Sequence, residues 1–483
     1  MSEAATLPPE GAGLKALVDA RCAMHPGLSG IYPLNDGLDA FAARYVLMGM
    51  AQHSIDVQYY IWHNDLSGRL LFSALLDAAE RGVKVRLLLD DNNTPGLDDT
   101  LAELDRHPNI AVRLFNPFSF RTLRALGYLT DFARLNRRMH NKSLTVDGAV
   151  TLVGGRNVGD EYFGTGDEPL FTDLDVLAMG PVVQEVEADF VRYWQSRAVS
   201  PLRSVVDVTE AAHEAVRLPA EWQQSEAVQR YLARLEHAEF VHQMAQGTLE
   251  VTWAAARLLS DDPRKGLGKA RRGSLLPQRM LEVIGAPQQQ FDIISAYFVP
   301  TRAGVAQLLT LKRRGVKIAI LTNSLAANDV SVVHAGYARW RKKLLRHGIA
   351  LYELKPQQQS GEAPHDRGLT GNSGSSLHAK TFTVDNRKVF IGSFNFDPRS
   401  AVLNTEMGLV IESESLAQQT HQHFIAGMRD RAWTLRLDKW GRVNWVEYPG
   451  EAQEKVHKHE PQCTWLQRLL VRLVWRLPVE WLL

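Results

Sequence analysis

Cysteine is nearly absent from this 483-residue chain. Cys22 and Cys463 are the two present, far too few for a disulfide framework. No stretch approaches the ~18 consecutive apolar residues of a spanning helix. The leading segment MSEAATLPPEGAG has neither the basic stretch nor the apolar core of a secretory signal. An excess of charge of one sign is missing too: 55 Lys and Arg stand against 54 Asp and Glu, a net +1. That excludes a uniformly basic protein and an acidic tail, although it says nothing of local patches. With 45% hydrophobic and 23% charged residues, the balance is that of a globular protein with a sizeable core, and disorder is excluded. The length leaves room for two to four domains at roughly 100–200 residues each. The expectation is a soluble or peripherally attached protein of a reducing compartment.

What the chain does have is repetition. Ile55 to Asp91 reads IDVQYYIW and then SGRLLFSALLDAAERGVKVRLLLDD; Phe291 to Ser324 reads FDIISAYFV and then RAGVAQLLTLKRRGVKIAILTNS. Each is a short apolar run, an amphipathic helical stretch, an Arg-Gly-Val-Lys turn and a second apolar run. The apolar runs show little alternation, as in strands buried on both faces. Strand, helix and strand in that order predict a parallel βαβ unit, with Gly82 and Gly315 as left-handed helix caps. HPNIAVRLFNP, from His107, then matches HGIALYELKP, from His347. MHNKSLTVDGAVTLVGGRN (Met139 to Asn157) matches LHAKTFTVDNRKVFIGSFN (Leu377 to Asn395). Common turn chemistry explains one such match but not four in the same order. The chain is α/β, in two homologous halves.

The boundaries follow composition: a first half at 30–200, a helical and basic connecting segment at 201–280, a second half at 281–430 and a Trp-rich amphipathic tail at 431–483. The connector carries DDPRKGLGKARRG, which reads as an exposed loop. Six of the eleven tryptophans (Trp433, Trp440, Trp445, Trp465, Trp475 and Trp481) lie in the tail.

Both halves contain His-x-Lys-x4-Asp: His140, Lys142 and Asp147, then His378, Lys380 and Asp385. Two residues apart on a strand, each His and Lys share a face. A glycine-containing turn then delivers an asparagine 17 residues after each histidine, Asn157 and Asn395. A pseudo-two-fold axis brings both sets to one interface, where one imidazole attacks and the other protonates a leaving group. Two lysines and two asparagines supply donors to negative oxygens, an arrangement suited to a phosphodiester. Neither motif offers a metal-ligand cluster, and no cofactor is expected. Asp90-Asp91-Asn92-Asn93 follows a strand, where such runs are usually turn formers.

A nucleophilic imidazole also needs an acceptor for its far nitrogen. Candidates downstream of the motifs are Asp173 or Asp175 in FTDLDVLAMG and Glu406 in NTEMGLVIES; aligning Thr172-Asp173 with Thr405-Glu406 favours Asp173. Asp147 and Asp385 fall at a strand–turn boundary, so direct catalysis and a turn-holding role both stay open.

Doubled HxKxxxxD motifs are the signature of the phospholipase D superfamily, which the chain resembles along nearly its whole length. Within it the resemblance is to bacterial cardiolipin synthases of the C group, through DVQYYIWHNDLSGRLL, LLLDDNNTPGLDD, RLFNPFSFR, GGRNVGDEYFG, LTNSLAANDVSVVHAGYARWRKKLL and GSFNFDPRSAVLNTEMG. The resemblance implies two α/β sandwich halves related by a pseudo-two-fold axis. It also implies metal-free double displacement through a phosphohistidine, with His140 phosphatidylated and His378 as acid and then base. The implied acceptor is phosphatidylglycerol and the implied donor phosphatidylethanolamine, at the cytoplasmic face of the inner membrane.

Lipid substrates demand a route to a bilayer. Between Ser119 and Lys142, Arg121, Arg124, Arg134, Arg137, Arg138 and Lys142 stand against the single acid Asp131, with Phe118, Phe120, Leu123, Leu126, Tyr128, Leu129 and Phe132 interleaved. The tail WLQRLLVRLVWRLPVEWLL sets Arg468, Arg472 and Arg476 four apart. Both suit peripheral contact with anionic lipid, and both also suit an ordinary helix packed on the core. RWRKKLLR, Arg339 to Arg346, and the loop cations Arg264, Lys265, Lys269, Arg271 and Arg272 read as plain solvated faces. The alternatives are a hydrolase or nuclease on another phosphodiester, or a silent binding scaffold. No nucleic-acid partner is expected.

Overall fold

The computed structural model describes residues 13–474 apart from 122, 166–170, 209–215, 237, 329–330, 357–376, 429 and 449–453. The first half contributes strands β1 (Ser29–Leu34), β2 (Ser54–Tyr59), β3 (Lys84–Asp90), β4 (Ile110–Phe115), β5 (Ser143–Val146), β6 (Val150–Gly154), β7 (Asp175–Met179) and β8 (Val199–Pro201). After the connector come β9 (Thr252–Ser260), β10 (Gln290–Ser295), β11 (Lys317–Asn323), β12 (Ala350–Leu354), β13 (Lys380–Val384), β14 (Lys388–Gly392) and β15 (Met407–Glu412). Three more follow: β16 (Ala432–Leu437), β17 (Val443–Glu447) and β18 (Lys455–His457).

In the first half β2, β3 and β4 are parallel, while β5 runs antiparallel to β2 and is followed outward by β6, β7 and β1. The second half repeats this plan: β10, β11 and β12 are parallel, and β13, β14 and β15 follow antiparallel. Helix Leu66–Glu80 crosses from β2 to β3 and helix Thr301–Arg313 from β10 to β11. The turn glycines after them, Gly82 and Gly315, have φ of 97° and 91°, the left-handed geometry a helix cap requires. Both parallel βαβ units are therefore present.

The two sheets pack face to face. Val153, Val176 and Ala178 of the first meet Ile391, Leu409 and Ile411 of the second in one buried cluster. Each of the Val, Ile and Leu side chains contributes on the order of 1.5–3 kcal/mol by leaving water. β9 also joins the halves, pairing with β1 through Thr252–Ala254 and with β15 through Ala255–Ser260. The segment beyond 430 divides. β16 to β18 extend the second sheet and bury Trp433 and Trp445; the helix Trp465–Val474 lies outside that sheet and packs through Val471 on Leu325 and Ala335. Trp475, Arg476, Leu477 and Trp481 lie outside the described residues.

Candidate active site

Each histidine sits just ahead of a strand that turns back beside the parallel ones, so both lie at the C-terminal ends of β2–β3 and β10–β11. Asp90, closing β3, accepts from Met139 N at 2.6 Å and from Arg138 Nε at 2.8 Å. Asn323, closing β11, exchanges hydrogen bonds of 2.8 Å with both backbone groups of Leu377. The residue before each histidine is thereby pinned.

The halves then exchange supports. His140 N–H donates to Thr405 O at 2.9 Å, and His378 N–H donates to Thr172 O at 2.8 Å. Glu406, from the second half, lies 2.8 Å from His140 Nδ1. Asp173, from the first, lies 2.5 Å from His378 Nδ1. Each imidazole is held at Nδ1 by the other half's carboxylate, and Lys380 Nζ lies 3.1 Å from His378 Nε2. Asp175 is elsewhere, paired with Arg44 at 2.8 Å.

The lysines complete the set. Lys142 is buried and donates to His140 O at 2.7 Å. Lys380 Nζ lies 2.9 Å from His378 Nδ1. Burial first, and the two lysines next, hold the His140 imidazole well below its ordinary pKa; the same causes lower His378 to about 4. Burial, then Lys380, also pulls Lys142 well below the usual lysine range. Burial opposes ionisation of Asp173, but His378 and Lys380 outweigh it and hold the carboxyl well below its usual range. Burial pushes Glu406 up to about 7, against the pull of Lys142 and a Ser393 hydrogen bond. A phosphodiester entering between these groups adds negative charge beside the imidazoles, which favours imidazolium on the acid–base partner.

Both asparagines lie on the turns beside the histidines. The amide oxygen of Asn157 accepts from Ile61 N at 3.2 Å and that of Asn395 from Tyr297 N at 3.3 Å. Anchoring the oxygen orients each amide nitrogen; that of Asn157 donates to Tyr162 Oη at 2.9 Å.

Asp147 and Asp385 do not join this site. Their carboxylates accept from successive backbone N–H groups, Gln52 to Ser54 in one case and Gln288 to Gln290 in the other, at 2.7–3.1 Å. Seven residues of extended chain separate them from the histidines, about 23 Å at ~3.3 Å per residue. Of the two roles left open for them, this geometry matches the turn-holding one: at φ of 52° and 54° they close a hairpin and tie it to the start of the neighbouring strand.

Several cations read as free also have assigned places. Arg121 pairs with Asp91 at 2.5 Å and with Asp98, and Arg138 is buried on Asp90 at 2.7 Å. The acidic run after β3 is thus committed to arginines. Arg341, from the RWRKKLLR stretch, is buried against Glu353 at 2.7 Å. In the connector loop, expected to be exposed, Pro263, Lys265 and Gly266 are buried. Lys265 Nζ donates to Asp261 Oδ2 and to Ser400 O, both at 2.8 Å. Asp261 Oδ2 in turn accepts from Glu406 N at 3.0 Å, so this pair stands directly behind the His140 carboxylate.

Sequence reasoning also passed over the aromatic rings on the histidines. Tyr60 meets His140 edge to face at 4.9 Å, and Phe171 stacks on His378 at 5.5 Å with Tyr162 at its edge. Their signal lay where the copies differ: Tyr60 stands opposite Ala296 and Tyr162 opposite Ser400. Among the described residues one group could hold a metal, His63, Asp65 and Glu161, with donor atoms within 4.8 Å of one another. Asp65 caps the following helix at Gly68 N and accepts from Asp160 N, and His63 lies 3.4 Å from Glu161, so these atoms are already engaged internally.

Comparison with known proteins agrees with this layout. The family profile "Cardiolipin synthase, PLD-like domain" matches residues 46–194 and 280–428. Cardiolipin synthase C of Escherichia coli (strain K12) is 65% identical over 96% of this chain and 98% of its own length. Cardiolipin synthase B of the same strain is 25% identical over 85% of this chain and 81% of its own length. Among solved structures, phosphatidylserine synthase of Haemophilus influenzae Rd KW20 shares the fold, with a TM-score of 0.59 at 14% identity over 94% of both chains. Two matched copies in one chain, each carrying its histidine, lysine and asparagine, make this protein a member of the phospholipase D-like cardiolipin synthase family.

Proposed function

We propose that this protein makes cardiolipin by transferring a phosphatidyl group to phosphatidylglycerol. The observation that carries the reading is the crossed pairing of His140 with Glu406 and of His378 with Asp173. Such pairing equips two imidazoles at one interface for opposite proton duties. His140 Nε2 attacks the phosphorus of the donor lipid, and the bond to the departing headgroup alcohol breaks as His378 gives that oxygen a proton. His378 then takes the proton from the free glycerol hydroxyl of phosphatidylglycerol. That oxygen attacks the phosphohistidine and releases His140 with cardiolipin. Lys142, Lys380, Asn157 and Asn395 hold the non-bridging oxygens, whose charge grows in the transition state. The aromatic rings fix the imidazole planes.

The donor in this reading is phosphatidylethanolamine, as the resemblance to the C group implies. The protein works as a peripheral protein at the cytoplasmic face of the inner membrane. Among the described residues no helix is long and apolar enough to cross a membrane. The test supplies vesicles of phosphatidylglycerol and phosphatidylethanolamine, the latter labelled in its headgroup. Cardiolipin should appear with one labelled ethanolamine released per turnover. Phosphatidic acid in its place marks a hydrolase, cardiolipin without label release reassigns the donor, and no product from any donor pair ends the proposal.

A further inference from the structure

We propose that two helices, Arg124–Leu135 with its lead-in from Phe120 and Trp465–Val474, embed side by side in the surface of an anionic bilayer and seat the mouth between His140 and His378 on it. The inference rests on the phospholipid substrate argued above and names the surface that meets it.

The first helix turns Arg124, Gly127 and Tyr128 toward the protein. Tyr128 Oη lies 2.8 Å from Asn92 Oδ1, Arg124 Nη2 lies 3.1 Å from Thr94 Oγ1, and Gly127 is buried against Phe118 and Leu135. Outward it shows Phe120, Leu123, Leu126, Leu129 and Phe132, with Leu129 82% exposed. The second helix buries Val471 against Leu325 and Ala335. Trp465, Leu466, Leu469, Leu470 and Leu473 face out, with Trp465 70% exposed. Contiguous apolar residues of this size on a soluble surface mark an interaction site.

Their placement identifies the occupant. Asp91 and Asn92, which hold the first helix, directly follow Asp90, the residue that pins Met139 beside His140. Leu325, which receives the second helix, follows two residues after Asn323, the residue that pins Leu377 beside His378. Each half therefore hangs one apolar helix at the strand end that presents its own histidine. The two helices come from unrelated parts of the chain, one between β4 and β5 and the other after β18. A partner protein needs no such pairing about the pseudo-two-fold axis. A substrate whose acyl chains stay in a bilayer while its phosphate reaches the histidines does. Arg137 and the exposed Arg472 flank the apolar stripes, where anionic headgroups meet them.

The test is sedimentation with vesicles of phosphatidylglycerol and phosphatidylethanolamine, using the full chain and the variants Leu129→Glu with Leu126→Glu, and Trp465→Glu with Leu473→Glu. These side chains are solvent-exposed, and circular dichroism verifies folding. Each pair should weaken vesicle binding at least tenfold and lower cardiolipin formation on vesicles in proportion. Turnover of short-chain lipids dispersed below their micelle concentration should stay unchanged. Unaltered vesicle binding in both folded variants overturns the proposal. So does loss of a self-associated or partner-bound form, seen by analytical ultracentrifugation, with vesicle binding intact. If the unaltered protein binds vesicles but makes no cardiolipin in either dispersion, the functional reading fails while the binding comparison still decides this one.

Discussion

His140 and His378 occupy equivalent ends of equivalent sheets, yet they are held by different means. The His378 side has a short carboxylate, Asp173, fitted against a glycine: a Cβ at Gly155 would come within 2.1 Å of Asp173 Oδ1. The His140 side has the longer Glu406 and, in place of that glycine, Ser393, whose hydroxyl lies 2.5 Å from Glu406 Oε2. Asp173 stays ionised, whereas burial brings Glu406 up to about 7. Behind Glu406 stands the Lys265–Asp261 pair, supplied by the connector. A fixed negative charge suits a histidine that cycles through imidazolium. In the proposed mechanism, a carboxyl poised near neutrality suits the histidine that first attacks as a neutral base and then carries a phosphoryl group. Duplication supplied two sites of the same kind, and the shells around them made them unequal.

Removing the imidazoles tests that inequality most severely. His140→Ala and His378→Ala should each lower turnover beyond the ~10²–10⁴-fold of simple acid–base catalysis. Only His378→Ala should still capture radiolabelled phosphatidyl group covalently, from a donor whose leaving group needs no proton. Capture by His140→Ala and not by His378→Ala would exchange the two roles.

Glu406→Gln probes the poised carboxyl. As pH rises through about 7, Glu406 ionises and becomes the stronger acceptor for His140, so turnover should rise over that range and the variant should lack the rise. Stability should move the opposite way. A folded-state value raised above the ordinary 4.5 means that the native protein holds a proton the unfolded chain has lost. Stability therefore falls between pH 4.5 and 7, and the variant should flatten that slope in urea titrations. A rise in turnover that persists in Glu406→Gln would assign it to another group.

Lys265→Met is a gentler probe of the same side. It should cost about tenfold in turnover, less than the ~10²-fold that a 1 Å misplacement can cost. Because Lys265 favours ionisation of Glu406, the rise in turnover should move to higher pH, which loss of packing alone would not produce.

The smallest effects belong where the halves remain alike. Asp147→Asn and Asp385→Asn should each lower unfolding stability by about 1–3 kcal/mol through weakened backbone hydrogen bonds. Turnover per folded molecule should be unchanged, and a large loss of turnover in either would return that aspartate to the chemistry.

Much of this architecture was legible from apolar periodicity and from the repeat. Strands buried on both faces announce themselves as unbroken runs of Val, Ile and Leu, and the paired His-Lys-Asn sets fall at matching points. The choice of Asp173 over Asp175 came from aligning the copies. The exchange of carboxylates between halves was hidden, because it is fixed by how two folded sheets dock rather than by any local pattern. Lys265 read as a loop cation because its partner Asp261 matters only through the distant backbone of Glu406. The partners of Arg121, Arg124 and Arg138 stayed hidden because Asp90 and Asp91, which meet them, lie a helix and a strand earlier in the chain. The clamping role of Asp147 and Asp385 needed the neighbouring strand's start beside them.

The exchanged carboxylates have a consequence for synthesis of the chain. His140 leaves the ribosome while its acceptor, 266 positions later, has yet to be made, and Asp173 waits in the same way for His378. Neither imidazole meets its carboxylate until the second half has folded against the first.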